Sequence, residues 1–130
     1  MRFLTREWLN AAELDLKSAN QLLQDESLTS IVIFHCQQSI EKLFKAVLIE
    51  NDCEPQKIHD LLRLYRLVLE FIEPFDDILP LKVINEAYID ARYPGELGLL
   101  PDGTPSIKEA IAIIEFTRLV FSTIKSKLGK

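Results

Sequence analysis

The stretch from Phe34 to Ala46, Phe-His-Cys-Gln-Gln-Ser-Ile-Glu-Lys-Leu-Phe-Lys-Ala, constrains this chain more than any other. Wound at ~100° per residue, it predicts the middle of a long helix running from about Thr29 to Glu50. On that wheel Ile33, Cys36, Ile40, Leu43, Phe44, Val47 and Leu48 form a broad arc for the core. Gln38, Glu41, Lys42 and Lys45 gather opposite, with His35 at their edge. Ile31, Phe34, Ala46 and Ile49 interrupt that polar side, and an exposed face rarely carries so much apolar surface. The polar side chains are therefore expected between helices, where each needs a hydrogen-bonding partner.

The flanking segments are helical too. From Thr5, a plausible N-cap, to about Gln24, Trp8, Ala11, Ala12, Ala19, Leu22 and Leu23 share a face. Asp15 falls in the middle of it, where a carboxylate is costly unless paired. It is the partner of a lysine on the second helix, Lys42 or Lys45, or a cap for a neighbouring helix, or else an acid lining a pocket. Asp25 to Ser30 is a short connection, so the first two helices should run antiparallel. Pro55 blocks continuation of the second helix. His59-Asp60 opens a third helix to about Phe71, apolar over well over half its surface, which points to burial on two sides and hence to a dimer interface. A fourth runs from about Pro80 to Ala91, with Ile84, Ala87, Tyr88 and Ala91 facing the core, and stops at Tyr93-Pro94-Gly95. Pro101-Asp102-Gly103 reads as a turn. Ser106 and Glu109 form a capping box for a fifth helix to about Lys127, closed by Gly129. No strand pattern occurs. The expected fold is an all-α, up-and-down bundle of about five helices with a long second and fifth, one domain over residues 1–130.

The 130 residues bury a core without staples. A net charge of −5 gives no general footprint for nucleic acid, although a local basic pocket remains compatible with it. Cys36, on the apolar arc, and Cys53 read as reduced thiols. No apolar run reaches signal-peptide or membrane-span length, so a cytoplasmic protein without membrane contact is expected. P-loop, dinucleotide and zinc-protease motifs are absent, and the histidines and cysteines are not at metal-ligand spacing. No catalytic residue, metal or cofactor is assigned. The polar candidates are Asp15, Gln38, Glu41, Lys45, His59 and Arg92, either a phosphate or nucleotide site or an interhelical ion-pair network.

Four ordered pieces resemble the HEPN domain family, the higher eukaryote and prokaryote nucleotide-binding domains. Trp8 to Ala19 is similar to its first helix, with the Ala-x-x-Asp-Leu core ending at Asp15-Leu16. Phe34 to Ala46 is similar to its F-x-x-Q-Q-x-x-E-K-x-x-K-A signature, His59-Asp60-Leu61 to its H-D-L, and Ala91-Arg92-Tyr93-Pro94 to its A-R-Y-P. The resemblance covers about residues 5 to 127 and implies a dimerising helical bundle. It further implies a partnership with a minimal nucleotidyltransferase, often in toxin–antitoxin pairs, and Tyr93 joins Arg92 among the site residues. Several members cleave RNA through an arginine followed at four to six intervening residues by histidine. Here those positions after Arg92 are Leu97, Gly98 and Leu99. Three functions stay open: a nucleotide- or phosphate-binding homodimer that partners a nucleotidyltransferase, a metal-independent ribonuclease with a rearranged site, and an interaction domain whose polar cluster is structural.

Overall fold

The computed structural model describes residues 1–54, 57–91 and 104–129, with backbone alone for 88–91. Among them the chain forms helices α1 (Phe3–Leu22), α2 (Thr29–Glu50), α3 (Leu61–Val68), α4 (Leu79–Ala91) and α5 (Ile107–Leu128), and no strand. The fold is the expected helical bundle, and α2 packs against each of the other four helices. The predicted core arc of α2 is buried, and so are Glu41 and Lys45 of its polar side, each only 6% exposed. His35, Gln38 and Lys42 are half-buried, and Ile31 and Phe34 stay exposed, contrary to the expectation that they would be covered.

α1 differs from expectation in register. Its inward seam is Thr5, Leu9, Ala12, Leu16 and Ala19, while Trp8 sits at the seam's edge. Ala12 is small enough for Ser39 of α2 to donate to its carbonyl at 2.8 Å. Thr5 is not the N-cap but lies inside the helix, fully buried. Its hydroxyl donates to Glu50 at 2.9 Å, and the same carboxylate oxygen accepts the backbone N–H of Arg2 at 3.0 Å. Thus the last residue of α2 caps the uncapped start of α1. Arg2 reciprocates, reaching the Ile49 carbonyl at 3.3 Å and the Asp52 carboxylate. α2 itself ends before Pro55, which lies outside the described residues. Asp52 turns left-handed (φ 61°), and the N–H groups of Cys53 and Asp52 return to the Leu48 and Ile49 carbonyls at 2.8 and 3.1 Å. This closure satisfies the orphan carbonyls without glycine.

α3 stops at Val68 rather than near Phe71. The N–H groups of Phe71 and Ile72 both bond to the Val68 carbonyl, at 2.8 and 3.0 Å, which tightens the chain out of the helix. Tyr65 then holds the returning segment: its hydroxyl accepts the Phe75 N–H at 3.0 Å and the two rings stack 5.5 Å apart. Phe75 in turn meets Phe116 of α5 edge-on. α5 begins at the predicted capping box, with both bonds present between Ser106 and Glu109. Thr29, at the start of α2, anchors the segment before it by donating to the Pro105 carbonyl at 2.7 Å. Among the described residues no helix is long and apolar enough to cross a membrane.

Candidate functional site

The polar side of α2 presents two adjacent strips. Gln37, Glu41 and Lys45 are four residues apart and form the inner one; His35, Gln38 and Lys42 form the outer one. Neighbours at that spacing stack along one line of a helix.

Glu41 is the hub of the inner strip. One carboxylate oxygen accepts Gln37 Nε2 at 3.0 Å and the other accepts Lys45 Nζ at 2.9 Å. His59 Nδ1 lies 3.2 Å from both. A carboxylate at 6% exposure survives because donors surround it. Gln37 also donates to the His59 carbonyl at 3.3 Å and accepts from Gln38 at 2.6 Å. Lys45 sits over the Trp8 ring at 5.7 Å, a cation–π contact to α1. His59 is the most exposed member, with 47% of its side chain accessible.

Asp15 belongs to a second cluster on the α1 side. Its two oxygens meet His35 Nδ1 at 2.9 Å and Lys42 Nζ at 2.5 Å. The expected lysine partner is therefore Lys42, not Lys45, and histidine adds a second contact. Each carboxylate thus faces one ammonium group, Asp15 that of Lys42 and Glu41 that of Lys45.

The start of α3 completes the frame. Asp60 is its N-cap, accepting the N–H groups of Leu62 and Arg63 at 2.9 and 3.2 Å. The remaining early donor, Leu61 N–H, goes to Asn85 of α4 at 2.9 Å, and Asn85 donates to Asp60 at 3.2 Å. The helix start beside His59 therefore has its backbone donors taken. An anion there would meet side chains rather than free backbone N–H groups.

A family model described as the HEPN domain matches residues 5–127. The chain belongs to this family. The fold of this HEPN domain is also similar to the crystal structure of TT1696 from Thermus thermophilus, with a TM-score of 0.74. The two are 19% identical, and the match covers 95% of this chain and 97% of that one. That likeness establishes the fold alone. No curated protein sequence matches the chain.

In the HEPN domain the predicted residues Gln38, Glu41, Lys45 and His59 come together, Gln38 through Gln37. Asp15 stands one strip away, and Arg92 and Tyr93 lie outside the described residues. Gln37 is the residue that sequence reasoning missed. It is fully buried and joins α2 to the His59 backbone. Its spacing of four from Glu41 was the available signal. Among the described residues no group of three or more His, Cys, Asp or Glu side chains is placed to hold a metal ion.

Proposed function

We propose that this HEPN domain is a helical dimer that binds nucleotide phosphates at the open edge of the Glu41 cluster and partners a minimal nucleotidyltransferase in a toxin–antitoxin-like pair. The observation that carries the reading is His59. Its ring is held against a buried carboxylate, yet nearly half of the side chain faces outward. Because the inner groups already neutralise one another, an incoming anion is recruited by His59 and by Arg92, directly after the last residue of α4. A guanidinium holds two phosphate oxygens at once, which a lysine does not. The dimer is supported by apolar surface left on the outer side of α3 and the turn after it, where Leu67 and Leu69 stay exposed. The partner class is supported by membership of the family.

Calorimetric titration with ATP and with inorganic phosphate tests the anion site. Arg92→Lys and His59→Ala should each weaken binding in a protein that stays folded. If wild type and variants bind alike, the site lies elsewhere.

A ribonuclease reading has one observation in its favour: an exposed histidine hydrogen-bonded through Nδ1 to a buried carboxylate is a usual general acid–base arrangement. Cleavage of a mixed RNA pool, lost in both His59→Ala and Arg92→Ala, would establish it in place of simple binding.

A further inference from the structure

A second surface lies away from the Glu41 cluster, where α4 and α5 both begin. A groove of about 240 Å³ opens between them. Ile33 of α2 and Ile113 of α5, both buried, form its floor. Leu79, Pro80 and Val83 of α4 form one wall and Ala112 of α5 the other. The apolar surface continues outward. Leu79, at the groove's mouth, is 62% exposed.

Two carboxylates mark the rim, Asp77 and Glu109, and among the described residues no cation lines the groove. Both acids are fixed by their own helix starts. Asp77 Oδ1 accepts the Leu79 N–H at 3.0 Å, and Glu109 Oε1 accepts the Ser106 N–H at 3.2 Å. They are ordered charges beside an apolar trough.

We propose that this groove docks an amphipathic helical segment of a partner protein, with two apolar side chains in the trough and a lysine or arginine against Asp77 and Glu109. Charge decides the occupant. A second copy seated about a twofold axis would bring the same acidic rim against itself. A basic segment complements it, and the chain's net charge of −5 favours the same encounter. The trough is short, so anchors three or four residues apart on a helix match it better than an extended strand. The proposal rests on the reading of the chain as a partner protein, but not on the anion site.

The test uses the full chain and two synthetic helical peptides. Both carry a Leu pair at i and i+4; lysines flank the pair in one and glutamates in the other. Fluorescence anisotropy should show the lysine peptide binding at least ~10-fold more tightly than the glutamate peptide, with the difference shrinking in high salt. Ala112→Arg, on an exposed position of α5, fills the trough and adds a like charge. It should abolish binding of the lysine peptide while circular dichroism and ATP titration stay as in wild type. Weaker ATP binding at Arg92→Lys with unchanged peptide binding separates the two sites. Equal binding of the two peptides, or unchanged binding by Ala112→Arg, overturns the proposal. So does a fall in native mass by light scattering on Ala112→Arg, which would make the occupant a second copy.

Discussion

At the scale of single residues, the acid with the most to lose is Glu41, although Asp15 is the one that stands out on a helical wheel. Lys45, Gln37 and His59 all depend on Glu41, and Lys45 has almost no route to water. Glu41→Ala leaves a buried ammonium unpaired and should cost about 3–5 kcal/mol in urea unfolding. Asp15→Ala should cost only about 1–2 kcal/mol, because Lys42 keeps about a quarter of its side chain exposed and turns outward. Equal losses would mean that the two clusters are equally enclosed. The cysteines divide in the same way. Burial pushes the Cys36 thiol up to about 11, against a hydroxyl contact from Thr117 that works in the other direction. A thiol reagent at mildly alkaline pH should therefore label one cysteine in the native protein, Cys53, and both in urea. Two labels in the native state would contradict the burial of Cys36. The pairing of Asp15 with a lysine was legible in the sequence, since a carboxylate on an apolar face demands a cation. Which lysine was not, because Lys42 and Lys45 are adjacent on the wheel and the rotation of α1 decides between them.

At the scale of elements, helix existence was legible and helix ends only partly. α2 runs from Thr29 to Glu50 as its periodicity predicts, and the α5 capping box is where the Ser-x-x-Glu pattern puts it. The start of α1 and the end of α3 were not legible, because distant residues set them. Glu50 supplies the cap that α1 lacks, and Tyr65 with Phe75 draws the chain away after Val68. The α1–α2 lock has a pH signature. The Arg2 N–H, and then the Thr5 hydroxyl, hold the Glu50 carboxyl below its ordinary value of 4.5. Folding thus favours the ionised form. The stabilisation is complete above pH 4.5 and is lost as pH falls through the lower folded value. Glu50→Gln should be less stable than wild type at neutral pH, and the gap should close on acidification. A gap that widens in acid would mean that Glu50 folds protonated. At the other junction, Asn85→Ala removes the acceptor of a buried N–H at the start of α3 and should cost about 1–3 kcal/mol. A loss within ~0.5 kcal/mol, as at surface sites, would show that water replaces the amide.

At the scale of the whole molecule, one helix organises both core and cluster: α2 packs against four neighbours and still encloses its inner polar strip between Trp8 of α1 and His59 just before α3. Enclosure of the inner polar strip was legible from Ala46 and Ile49, which break that side and are buried, whereas Ile31 and Phe34, which break it too, stay exposed. Convergence of Glu41, Lys45 and His59 was legible only as a list, since the contact runs through the fold of α3 onto α2. Native light scattering at micromolar concentration should give about twice 14.9 kDa for the dimer, and a clean monomer would remove that part of the account. The central claim, that the open edge of the Glu41 cluster recognises phosphate, meets its most direct test in one titration. Wild type and Arg92→Lys are each titrated calorimetrically with ATP and with inorganic phosphate. Saturable ATP binding by wild type, clearly weaker in the lysine variant although the charge is kept, is the predicted result. If neither protein binds either ligand at millimolar concentration, the cluster is an interhelical ion-pair network and the chain an interaction domain.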